Sequence, residues 1–210
     1  GGESGDARML VAEAVEQRQA EKVSAIMFTD MVELSTEARR DAALDHALRE
    51  EQGRLVRGLL SGHGGREIKR LEDGFLVEFD EALPAVACAL ELQRALCTRN
   101  ERVPDARRVQ LRIGIHLGSV VHQDGDVFGE GVNLAARLES LARPGTLYVS
   151  EPVARQVRGQ GLTALVRLGR GDLKNIRLPV SVYRIDPPGL RSRSLLSRLR
   201  DLWPTSRARV

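Results

Sequence analysis

The sequence predicts an α+β domain with a ferredoxin-like antiparallel sheet, and three observations carry that prediction. A compact apolar run, Val23 to Phe28, is bounded by Thr29 and Asp30, as expected of a buried central strand. Two short alternating segments, Arg66 to Leu71 and Phe75 to Phe79, flank Glu72-Asp73-Gly74, an Asp-Gly hairpin signal. Helical periodicity separates the strands in the order β, α, β, β, α, β, followed by an extra helix and further strands.

Each element has its own signal. Ala7 to Ala20 reads as an amphipathic helical stretch with Met9, Leu10 and Ala14 on one face, so residues 1–21 are expected to be a connector. After the first strand, Leu44, Leu48, Leu55, Val56, Leu59 and Leu60 mark the apolar face of a long helix that Gly62, Gly64 and Gly65 stop. Glu81 to Thr98 is a second helix, with Leu83, Val86, Ala87, Leu90 and Leu96 in phase. A polar loop containing Pro104 leads to a strand over Val109 to Val121, with glycines at 114 and 118. Gly131 to Ala142 is a short helix ended by Pro144-Gly145, and Thr146 to Ser150 and Val180 to Ile185 close the sheet. These elements define a domain at residues 22–186, with a tail at 187–210.

Charge excludes some functions. The chain carries 32 Lys plus Arg against 29 Asp plus Glu, yet six arginines and one acid fall in residues 189–210, leaving the body slightly acidic. A nucleic-acid binder is expected to carry its basic charge on the folded surface, and seven aromatic residues are few for base stacking. No apolar run approaches the roughly 20 residues of a membrane span, and no signal peptide opens the chain. Cys88 and Cys97 lie on one helix out of phase and are expected to be reduced, which suits a cytoplasmic protein. His46, His63, His116 and His122 show no metal-ligand spacing and read as surface or loop residues. Only three of the basic residues are lysines, Lys22, Lys69 and Lys174. An ammonium kept in an arginine-rich chain is worth following, because the two cations are not interchangeable.

The topology makes the first and third strands antiparallel neighbours. Asp30, ending the first strand, and Asp73, in the hairpin, are thereby expected at one sheet edge although 43 positions apart. Paired carboxylates there suit Mg²⁺, a hard cation that takes oxygen ligands and keeps positions open for phosphate. The plain alternative is that both are turn residues bonding their own backbone.

Five segments then carry a resemblance: FTDMVELS (Phe28 to Ser35), IKRLEDGFLVEF (Ile68 to Phe79), LRIGIHLGSVV (Leu111 to Val121), DVFGEGVNLAARLE (Asp126 to Glu139) and LKNIRLPVSVYRI (Leu173 to Ile185). In this order and spacing they resemble the catalytic domain of class III nucleotidyl cyclases, over about residues 22–186. The resemblance implies that Asp30 and Asp73, with the Met31 backbone carbonyl, hold two divalent ions, Mg²⁺ or Mn²⁺. It implies that Lys69 and Asp126 select the base. Adenine offers an acceptor at N1 and a donor at its 6-amino group, which an ammonium and a carboxylate satisfy, whereas guanine has the opposite polarity. Asn133 and Arg137, an i, i+4 pair on one helical face, match the ribose and reacting-phosphate contacts; Arg137 would stabilise charge at the α-phosphate. Lys174 matches the triphosphate lysine, and Arg112 a basic residue that reaches the terminal phosphates in some relatives. In isolation Asn133 reads as a helix-start cap, Arg137 as a solvated helix residue and Arg112 as a strand-surface charge.

The resemblance therefore implies an adenylate cyclase converting ATP to 3′,5′-cyclic AMP and pyrophosphate, as a homodimer with two shared sites. One subunit would supply Asp30 and Asp73, the other Lys69, Asp126, Asn133, Arg137 and Lys174. The sequence departs from the family pattern at Glu33 and Glu72, where glycine is usual. A nucleotide-binding or dimerising regulatory domain without turnover is therefore the alternative, and a polymerase-palm transferase is a third reading that does not account for the Asn133/Arg137 helix. In the tail, Leu195, Leu196, Leu199, Leu202 and Trp203 form an apolar stripe among arginines, as in a basic interfacial helix contacting a membrane, with a solvated tail as the alternative.

Overall fold

The computed structural model describes residues 21–33, 35–162, 164–174 and 176–187. The amphipathic stretch before the first strand and the basic tail lie outside them, as does the Glu33 side chain. Strand β1 (Glu21–Glu33) is followed by α1 (Thr36–Arg40) and α2 (Ala42–Leu60). Next come the hairpin β2 (Arg66–Arg70) and β3 (Gly74–Phe79), then α3 (Ala82–Asn100) and β4 (Val109–Gln123). The chain continues through β5 (Asp126–Phe128), α4 (Glu130–Leu141), β6 (Leu147–Ser150), α5 (Glu151–Val157), β7 (Leu165–Arg167) and β8 (Val182–Ile185).

The eight strands form one sheet in the order β2-β3-β1-β4-β6-β8-β7, with β5 paired to β4. Its first four members have the ferredoxin-like arrangement, and β3 lies antiparallel to β1 as the topology requires. The sheet is mixed and not purely antiparallel: β4 and β6 run parallel, because α4 makes the crossover between them.

Alternation along the strands sorts side chains to two faces. Ala25, Met27, Phe75, Val77, Leu111, Ile113 and Val149 pack against α2, α3 and α5 in the main core. Ile26, Leu76, Val120 and Val127 point to the other face, which α4 covers through Ala135. Leu138 and Leu141 of α4 extend that packing to Leu168, Leu173 and Val182, joining the helix to the segment between β7 and β8.

Three local findings differ from the sequence pattern. First, β1 does not end at Asp30 but continues to Glu33, since β4 is long enough to pair with it from Glu21↔Val121 to Glu33↔Val109. Second, a short extra helix precedes the long one, and Asp41 separates them: its carboxylate accepts from the Ala43 and Leu44 amides and starts α2, which carries the whole Leu44-to-Leu60 pattern unbroken. Third, Gly74 is the first residue of β3 and does not need a positive φ. A Cβ at Gly74 would lie 1.6 Å from the Thr29 carbonyl oxygen, so glycine there permits the close approach of β1 and β3.

Candidate active site

The pairing of β1 with β3 sets Asp30 opposite Gly74, and the Met31 amide donates to the Asp73 carbonyl at 2.7 Å. The two aspartates are thus at one sheet edge, with Asp30 inside a strand and Asp73 in the loop. Each faces an arginine. Arg112, opposite Asp30 on β4, donates from Nε to Asp30 Oδ2 at 3.1 Å and again through its terminal nitrogen. Arg49 of α2 pairs with Asp73.

Glu139 of α4 stands beyond Arg112, 3.4 Å from its Nε. Burial, reinforced by the Asp30 charge and opposed by Arg112, pushes its carboxyl up to about 7. The side chain of Glu139 is 13% exposed, and its Oε1 is buried without a hydrogen bond. Gly114 lets this helix approach the sheet, since a Cβ there would lie 2.2 Å from the Glu139 amide nitrogen.

Lys69 on β2 and Asp126 at the start of β5 meet at 2.6 Å, Nζ to Oδ2. The ammonium, helped by the Val127 amide, holds Asp126 below the ordinary carboxylate range. Asn133 and Arg137 lie exposed on one face of α4, and both line a cavity of about 490 Å³ with His116, Ser119, Glu130, Pro179 and Val180. The cap reading for Asn133 is overturned: α4 starts at Glu130, and the Asn133 amide donates to Gly129 within the helix. Lys174 is exposed in the turn after Gly171, with φ of 53° in the left-handed region that non-glycine residues rarely adopt. Its neighbour Leu173 packs against α4, so Lys174 projects from the loop braced on the helix of Asn133 and Arg137.

Among the described residues, no hydrogen bond or ion pair joins Asp30 or Asp73 to Lys69, Asp126, Asn133 or Arg137. The two sets of polar residues thus make no direct bond to one another, although Arg112 joins Asp30 to Glu139 on the helix that carries Asn133 and Arg137.

The surface reading of the histidines is corrected at His116, while His122 stays partly exposed, on a strand and not in a loop. His116 is a buried β4 residue whose Nδ1 lies 2.7 Å from Ser150 Oγ, and burial pushes its pKa down. His122, also on β4, meets the nearly inaccessible Glu78 carboxylate at 2.9 Å, where Ser24 also donates at 2.6 Å. Even residue spacing along a strand could have placed both on one face; nothing local signals their partners. Cys88 is buried, its thiol pushed up to about 12, and Cys97 is also free.

The aspartate edge fits divalent metal. Its carboxylate donors are oxygen only, and Asp73 Oδ1, which already faces the Arg49 guanidinium, is a charged oxygen of the kind a hard cation takes. Among the described residues there is no cluster of three or more His, Cys, Asp or Glu, so a protein-only cage is not formed.

A ferredoxin-like sheet extended by a parallel crossover, with an acidic edge and an Asn/Arg helix beside it, defines a nucleotidyl cyclase type of catalytic domain. The chain belongs to the adenylate and guanylate cyclase catalytic domain family, whose model matches residues 15–186. A Rhizobium meliloti (strain 1021) protein named "Putative adenylate cyclase 3" is 39% identical over 167 residues, 79% of this chain and 28% of that protein. The chain thus spans about a quarter of that relative's length. The crystal structure of an adenylate/guanylate cyclase/hydrolase from Silicibacter pomeroyi is 36% identical, with a TM-score of 0.69, covering 80% of this chain and 98% of that one. The guanylate cyclase domain of RhGC from Catenaria anguillulae, solved in complex with GTP, shares the fold at 18% identity and a TM-score of 0.65, covering 80% of this chain and 98% of that one. Catalytic domains of the family are generally divalent-metal dependent and commonly act as dimers on nucleotides. No helix among the described residues is long and apolar enough to cross a membrane.

Proposed function

We propose that this domain is an adenylate cyclase that converts ATP to 3′,5′-cyclic AMP and pyrophosphate. The observation that carries the reading is the 2.6 Å pairing of Lys69 with Asp126, which sets an ammonium donor beside a carboxylate acceptor. Adenine's N1 and 6-amino group match that order, and guanine's edge opposes it. Asp30, Asp73 and the Met31 carbonyl would hold two divalent ions, Mg²⁺ or Mn²⁺. When bound, the ions would activate the ribose 3′-hydroxyl and neutralise charge on the leaving pyrophosphate. Asn133 would orient the ribose, Arg137 would stabilise negative charge at the α-phosphate, and Lys174 and Arg112 would hold the triphosphate.

The lack of a direct bond between the two residue groups among the described residues is compatible with a head-to-tail homodimer. One subunit would bring Asp30 and Asp73 to the partner's Lys69, Asp126, Asn133, Arg137 and Lys174. At Glu72 the backbone φ is not positive, so the hairpin accepts an L side chain there without strain.

Purified protein incubated with ATP or GTP, and with Mg²⁺ or Mn²⁺, tests the proposal. Cyclic AMP well above an Asp30→Ala control is expected, with little cyclic GMP. Product equal to that control would sink it.

A further inference from the structure

Arg49 belongs to no motif of the sequence, yet it lies between two acidic side chains from different elements. Its Nε donates to both oxygens of Asp45, one helical turn earlier, at 2.9 and 3.0 Å. Its Nη1 donates to the Glu72 carbonyl at 2.6 Å and pairs with the Asp73 carboxylate. The arginine side chain is 21% exposed, so it is packed at the edge of the site and not waving in solvent.

We infer that Arg49 is a positioning residue that acts as the resident counter-ion of Asp73 and sets the affinity of that carboxylate for a divalent cation. The inference rests on Asp73 being a metal ligand. The Asp73 side chain is partly exposed, and Arg49 covers one of its oxygens, so the guanidinium supplies the counter-charge there until a metal ion arrives. An arriving divalent ion and the guanidinium compete for the same carboxylate, since two cations on one oxygen repel at short range.

Asp45 makes that exchange inexpensive. Its two-oxygen contact with Nε lets Arg49 keep a partner after giving up Asp73, so the guanidinium is handed over and not stranded. The Glu72 carbonyl contact gives Arg49 a second task. The loop position at which this chain departs from the family pattern is fastened to α2 by the residue that guards the neighbouring aspartate.

The two partners of Arg49 predict opposite effects. Mn²⁺ binding to the full chain without nucleotide, read by electron paramagnetic resonance of free Mn²⁺, is compared for wild type, Arg49→Gln, Asp45→Asn and Asp73→Asn. Arg49→Gln is expected to tighten binding about fivefold, as loss of one partly exposed competing ion pair implies. Asp45→Asn is expected to weaken it about threefold, because Arg49 then has Asp73 as its remaining carboxylate. Asp73→Asn should weaken it by at least ~10-fold. If Asp73→Asn weakens binding while the other two leave it unchanged or shift it in one direction, the role of Arg49 is overturned and the metal assignment stands. If Asp73→Asn binds Mn²⁺ like wild type, the metal assignment itself falls and takes the inference with it. Should Arg49→Gln fail to fold, Asp45→Asn still decides: weaker binding supports the counter-ion role, and unchanged binding overturns it.

Discussion

Asp30 and Arg112 face each other in register across β1 and β4, and the arginine donates to the carboxylate opposite it. Acid and base from different strands thereby neutralise one another at the acidic edge, which raises the Arg112 pKa further. In the proposed reaction both must change partners, the carboxylate toward metal and the guanidinium toward phosphate. Arg112→Gln is therefore expected to raise the KM for ATP about tenfold with a smaller effect on kcat. Steady-state kinetics decide this, and an unchanged KM would leave Arg112 a structural partner of Asp30.

The Lys69–Asp126 ion pair gives a second expectation. Lys69→Glu replaces it with two like charges and removes the donor proposed for adenine N1. ATP kcat/KM should fall by roughly 10- to 100-fold, the range for losing a charged hydrogen bond in a binding site. Unchanged ATP kinetics would count against the assigned contact.

Arg137→Ala tests the helix of the second residue group. Its kcat should fall by about 100-fold or more, with Asn133→Ala also slower, as expected when a donor to developing charge is lost. A change confined to KM would show that Arg137 binds ATP without aiding the chemistry.

Gly74→Ala probes the spacing of the acidic edge. The added methyl meets the Thr29 carbonyl, and β1 and β3 must part. A loss of about 2 kcal/mol or more is expected from overpacking, readable by denaturant unfolding, together with loss of activity from a displaced Asp73. Stability equal to wild type would mean that the strands are less closely apposed.

Glu139 is expected to make the stability of the protein depend on pH. Its folded pKa of about 7 lies above the ordinary value of 4.5, so the folded state binds the extra proton. The contribution is fully present below the unfolded pKa and is lost as pH rises through the folded pKa, from about 4.5 to about 7. Without divalent metal, Glu139→Gln should flatten the fall in stability over that window. An identical slope in the variant, measured by urea unfolding at a series of pH values, would refute the assignment.

Where the pattern repeats cleanly, as in α3, the element is readable from it alone, whereas β3, expected to alternate, is buried on both faces because helices cover each side of the sheet. The meeting of Asp30 with Asp73 is legible for a different reason: strand order dictates it. Thr29 and Asp30 mimic a strand end because they are polar, and only pairing with the long β4 carries the strand past them. The short β5, α5 and β7 are too brief for periodicity to mark them, although Ser150-Glu151-Pro152 holds a usable signal in a serine at the N-cap and a proline in the first turn. Arg49 and Glu139 are invisible in the sequence for a stronger reason. Each looks like a solvated helix charge, and what distinguishes it is a partner on another element.

Strand β1 is paired on both sides along the stretch from Ala25 to Asp30. Its amides should therefore exchange with solvent only when the whole domain unfolds, whereas the turn at Lys174, held by single backbone bonds, opens far more readily. Under mild denaturation the acidic edge would outlast the loop that carries the lysine. On the proposed assignments, a partly loosened domain would still bind divalent ions after it had lost its grip on the nucleotide.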